Sequence, residues 1–125
     1  MFERNFDKIL YVTGAVTMTP LLQFFFPALN LGLNGLVVGD DAGLFFARHW
    51  GLMAACFGAL LIFAAARPAV RQPIVMAALV EKLGLVTLVG MNWNNPALAG
   101  LHAAGIFDAI CVLLYGAYLY RVKKS

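Results

Sequence analysis

The chain of 125 residues is 62% hydrophobic and 12% charged, with a mean hydropathy of +0.84. That composition leaves no length for a separate soluble domain, so a single helical domain over 1–125 is expected. The net charge of +3 comes from nine cations whose positions point to membrane sidedness and away from a nucleic-acid partner.

Four apolar stretches, at about 9–28, 43–66, 73–92 and 97–120, each reach the ~20 residues a helix needs to cross a ~30 Å hydrocarbon core. A spanning helix also satisfies its own backbone hydrogen bonds. The expected fold is an all-α integral membrane four-helix bundle, up-down-up-down. Arg4 and Lys8 precede the first stretch, Arg67 and Arg71 separate the second from the third, and Arg121, Lys123 and Lys124 follow the fourth. The opposite connections carry only Asp40 and Asp41, so the positive-inside rule places both termini in the cytoplasm. The N-terminal stretch has no small-residue cleavage site after it and is expected to stay as an anchor.

In the first stretch, Thr13 and Thr17 stand four residues apart, as do Gly14 and Met18, which suits a small-residue seam against a neighbouring helix. Pro20 interrupts the stretch late, and Gln23 is a long amide near its outer third. The segment 29–42 holds three glycines, two asparagines and two aspartates. It is read as a connector along the outer interface, with a lid over an outward cavity as the alternative. The short 67–73 and 93–96 connections make the helices they join antiparallel neighbours. Trp50, Trp93, Tyr115, Tyr118 and Tyr120 fall near helix ends, where amphipathic rings favour the headgroup region. Cys56 and Cys111 belong to no Cys-x-x-Cys spacing and are read as free thiols facing lipid or core.

Depth, counted at ~1.5 Å per residue from the cytoplasmic arginines, decides which polar groups meet. Glu81 and Lys82 lie about 15 Å above Arg71, near the midplane, and Asp108 lies about 20 Å above Arg121. An unpaired charge at the helix centre costs about 2.5–3.5 kcal/mol, so these three are expected to face inward, Lys82 pairing with Asp108. Glu81, rotated ~100° from Lys82, is the candidate for a carboxyl that keeps its proton. His49 and His102 come out level with each other near the outer interface, with Arg48 beside them.

Two further readings join these groups differently. A single b-type haem would use His49 and His102 as axial ligands, with Gly51, Gly100 and Gly105 leaving room and Arg48 neutralising a propionate. A membrane isomerase would place Arg48, His49 and His102 at the mouth of a cavity above Gln23, Glu81 and Asp108, for proton shuttling on an apolar substrate. The only serine is Ser125, neither cysteine lies level with a histidine, and no metal-ligand run or phosphate-cradling loop is present. A nucleophile constellation and a dedicated metal site are therefore not expected, and no catalytic residue is assigned.

The segments Phe46-Ala47-Arg48-His49-Trp50-Gly51, Ala65-Ala66-Arg67, Val80-Glu81-Lys82-Leu83-Gly84 and His102-Ala103-Ala104-Gly105-Ile106-Phe107-Asp108 fall one or two to each of the last three helices. In this layout the chain resembles the small four-helix bacterial membrane proteins grouped as DoxX-like, including the BphX-like ones, along its whole length. The resemblance implies a multi-pass protein of the bacterial inner membrane. It further implies an accessory subunit of a membrane oxidoreductase, or a component binding a quinone or other hydrophobic small molecule; separately, exposed small residues on the helices would suit a homo-oligomer.

Overall fold

The computed structural model describes residues 5–124 and, for Lys124, the backbone alone. Arg4 and Ser125 lie outside the described residues. Six α-helices follow in order: α1 (Phe6–Met18), α2 (Leu21–Phe25), α3 (Pro27–Leu33), α4 (Asp41–Ala66), α5 (Arg71–Met91) and α6 (His102–Lys124). Short 3-10 turns at Pro68–Val70 and Pro96–Leu101 lead into α5 and α6, and no strand occurs among the described residues. Counting those turns, Asp41–Ala66, Pro68–Met91 and Pro96–Lys123 are long and apolar enough to cross a membrane.

The first stretch departs from the continuous helix expected over 9–28. It is three pieces, and α1 has 13 residues. Pro20 has no N–H to return to the preceding turn, and Pro27 imposes a second break, with Phe26 at φ −134° and ψ 71°. The Thr19 hydroxyl donates to the Val16 carbonyl at 2.7 Å and satisfies one acceptor at the end of α1. In the 29–42 segment, α3 occupies the first part. That helix ends on Gly35 at φ 73°, and the Leu36 N–H reaches back to the Leu31 carbonyl at 2.8 Å.

The other boundaries shift by a few residues for identifiable reasons. Asp40 caps α4, its carboxylate accepting from the Gly43 N–H at 2.7 Å, so the helix begins at Asp41. The Arg71 guanidinium donates from Nε to the Ala64 carbonyl at 3.0 Å and from Nη2 to Ala65 at 2.8 Å. One side chain thereby closes the end of α4 while opening α5. The fourth stretch starts as 3-10 turns, and α6 continues through Arg121 and Lys123.

Packing pairs α1 with α4 and α5 with α6, with α2 laid on α4 and a smaller α4–α5 contact. The core gathers Phe6 and Leu10 from α1, Leu61 and Ala64 from α4, Val75 and Ala78 from α5, and Cys111 and Tyr115 from α6. At the α1–α4 crossing, a Cβ added to Gly14 would lie 2.9 Å from the Gly58 carbonyl oxygen, and one on Gly58 would lie 2.5 Å from that of Gly14. Only glycine lets the two backbones touch there. Outward faces keep large apolar side chains exposed, among them Val12, Phe45, Val80, Leu88 and Leu113. Water would not favour such a surface; hydrocarbon would.

Candidate functional site

The residues singled out by depth and charge separate into four places. Glu81 and Lys82 on α5 and Asp108 on α6 come together. Gln23 lies in an adjoining cavity, while Arg48 with His49, and His102, stand elsewhere.

Lys82 is 1% exposed and Asp108 5%. The Lys82 ammonium donates to Asp108 Oδ1 at 2.9 Å and to Thr17 Oγ1 at 3.0 Å, and its nitrogen lies 5.0 Å from the centroid of the Phe107 ring. A buried ammonium needs such compensation, because removal from water costs several kcal/mol per ion. The hydrogen-bond chain continues through α1. Thr17 spends its hydroxyl proton on the Thr13 carbonyl at 2.6 Å, so it receives from Lys82. Thr13 spends its own on Ile9 at 2.7 Å, so the 2.5 Å bond between Thr13 Oγ1 and the Tyr115 hydroxyl is donated by Tyr115. Asp108, Lys82, Thr17, Thr13 and Tyr115 thus form one polar seam tying α1, α5 and α6.

Tyr115, expected at the headgroup level, is instead fully buried. The signal lies in the register. Tyr115 follows Asp108 by seven residues and Cys111 by four, which puts all three on one face of α6. Phe6 completes the enclosure, edge-on to Tyr115 at 6.2 Å and stacked on Tyr118 at 4.2 Å.

Above the pair lies a cavity of about 230 Å³. Glu81, Lys82 and Asp108 are its charged residues; Thr17, Thr19, Trp50, Leu85 and Phe107 contribute to the rest of its wall. Glu81 differs from its neighbour. Its Oε1 is buried and takes no hydrogen bond from any described residue. A smaller cavity of about 140 Å³, lined by Gln23, Asn30 and Asn34, shares Thr19, Pro20, Trp50 and Ala104 with the first. The break at Pro20 therefore sits where the two cavities meet.

Gln23 has a structural task. It is 3% exposed, donates from Nε2 to the Ala47 carbonyl at 2.5 Å, and accepts from Asn30 Nδ2 at 3.0 Å. That clasp holds α2 and α3 against α4. Arg48 helps from outside, Nε donating to the Phe24 carbonyl at 2.9 Å with the guanidinium 5.9 Å from the Phe24 ring centroid.

The two histidines have different surroundings. His49 is exposed and lines a separate open cavity of about 540 Å³ with Phe24, Asp41, Leu44, Phe45 and Arg48. His102 stacks on Trp93 with centroids 3.7 Å apart, and its Nε2 is bonded to the Trp93 carbonyl at 2.9 Å. Neither lines the cavity at Glu81. The arrangement with Arg48, His49 and His102 at that cavity's mouth is therefore corrected, and with it the layout for a histidine-assisted isomerase. An iron ligated by His102 Nε2 would have to displace the Trp93 carbonyl from that nitrogen. Among the described residues, no three His, Cys, Asp or Glu side chains converge in a way that could hold a metal.

No protein-family model, curated protein or solved structure matches the chain.

Proposed function

We propose that this is a four-pass, up-down-up-down inner-membrane protein with both termini cytoplasmic, serving as an accessory subunit that holds a small amphipathic molecule in the cavity over Lys82 and Asp108. The observation that carries the reading is that cavity itself, a mostly apolar space of about 230 Å³ with an ion pair and a carboxyl oxygen that has no hydrogen-bond partner among the described residues. Apolar walls with a few convergent polar groups are the usual form of a small-molecule site. The volume falls below the ~300–1,000 Å³ of drug-sized sites, so the occupant is a small molecule or one headgroup whose tail stays in lipid. Sidedness rests on the distribution of lysine and arginine, and the resemblance to DoxX-like proteins supports the accessory role.

The test is extraction. The full chain, purified in mild detergent, is extracted with solvent and the extract analysed by mass spectrometry beside that of Ala104→Phe, which fills the space between the two cavities. The wild type is expected to yield at least one small molecule depleted about tenfold in the variant. Identical extracts from two equally helical proteins would defeat the reading.

A further inference from the structure

We infer that the molecule taken by this cavity is a small organic cation, bound in exchange for a proton on Glu81. The inference rests on the ligand-cavity reading and adds the charge and the coupled proton.

The argument is one of charge balance. Lys82 and Asp108 neutralise each other at 2.9 Å, and the ammonium has a second acceptor in Thr17. An anionic ligand would have to take Lys82 from Asp108 and strand the carboxylate. Glu81 is the charge left over. Its Oε1 is buried without a hydrogen-bond partner among the described residues, in a cavity whose remaining wall is uncharged. With the cavity empty, a bare carboxylate there would be unpaired and poorly hydrated, so Glu81 holds its proton. A cation entering beside it supplies the missing counter-charge.

The wall suits such an occupant. Trp50 presents an indole to the same space as Glu81, and the face of a tryptophan is the strongest of the aromatic rings for a quaternary ammonium. The Phe107 ring is already engaged by Lys82 at 5.0 Å, so the ligand's ring partner is Trp50. Titratable neighbours of Glu81 are few. Lys82 is on its own helix, Asp108 and Cys111 face it from α6, and the cavity residues from α1, its C-cap and α4, Thr17, Thr19, Trp50 and Ala54, carry no titrating group. The exchange balances without a co-reactant. Protonated Glu81 and a free cation become a carboxylate–cation pair and one proton released to the surrounding solution.

The experiment compares benzyltrimethylammonium with neopentylbenzene, its neutral isostere, each titrated into the full chain in mild detergent across a pH series. Binding is read from Trp50 fluorescence in a Trp93→Phe background, which leaves one tryptophan. The cation is expected to bind more tightly by about tenfold per pH unit as pH rises toward the titration of Glu81, which is one-proton linkage, while the isostere shows no such slope. Glu81→Gln is expected to abolish the slope. Equal binding of cation and isostere overturns the inference while leaving a ligand cavity in place, and a cation affinity independent of pH overturns it too. Absence of cation binding overturns it as well, and the extraction experiment then decides separately whether the cavity holds anything. Should Glu81→Gln fail to fold, the contrast between the two compounds on the parent protein still separates these outcomes.

Discussion

At the scale of single residues, Lys82 stands out as a fully buried ammonium. Its 1% exposure is sustained by two acceptors, and removing one partner of a buried pair strands the other. Asp108→Leu is therefore expected to cost about 3–5 kcal/mol, seen as a lowered unfolding midpoint in detergent. The double variant Lys82→Met, Asp108→Leu should recover most of that loss, since an apolar replacement of both ions removes the desolvation penalty with the attraction. A double variant as unstable as the single one would show that the seam, and not the charge, is at stake. Tyr115→Phe isolates the far end of the seam. Only the hydroxyl goes, Thr13 keeps its bond to Ile9, and the expected cost is about 1 kcal/mol in the same assay.

Among elements, the α1–α4 crossing and the break at Pro20 set the geometry. A side chain at Gly58 meets the Gly14 carbonyl, whereas one at Gly116 meets nothing within 4 Å. Gly58→Leu should thus destabilise by about 1–3 kcal/mol, and Gly116→Leu should be neutral or slightly stabilising, both read as unfolding midpoints. Equal effects would mean that α1 does not ride on α4 as described. The depth count along regular helices is enough to bring Lys82 to Asp108, because 1.5 Å per residue is a property of any α-helix. It does not say where a ring turns: His102 lies on Trp93 through a stacking contact that no periodicity encodes. For 9–28, hydropathy is blind to the missing N–H of two prolines, and the stretch divides at both. Gln23 is visible in the sequence as an oddity, but its role as a clasp depends on Ala47 and Asn30, which only the folded chain brings to it.

For the whole molecule, the proposed topology makes a direct prediction. In a background lacking Cys56 and Cys111, Gly39→Cys should react with a membrane-impermeant maleimide on intact spheroplasts, and Ala69→Cys only after permeabilisation. The opposite pattern would invert the sidedness read from lysine and arginine. Both positions are exposed, so accessibility in the fold does not limit the reaction.

Division of the N-terminal segment into three pieces also bears on how the protein is made. In the proposed topology α1, at 13 residues, covers about 20 Å of a ~30 Å core, too short to be secured in the bilayer alone. Its backbone contact is with Gly58, and the segments that extend it are held by Ala47 and Arg48, all on a helix synthesised later. In the proposed topology α1 is thus secured only by a helix made after it. Truncation of a nascent chain before residue 58 should leave α1 extractable by alkali, and extension through α4 should retain it.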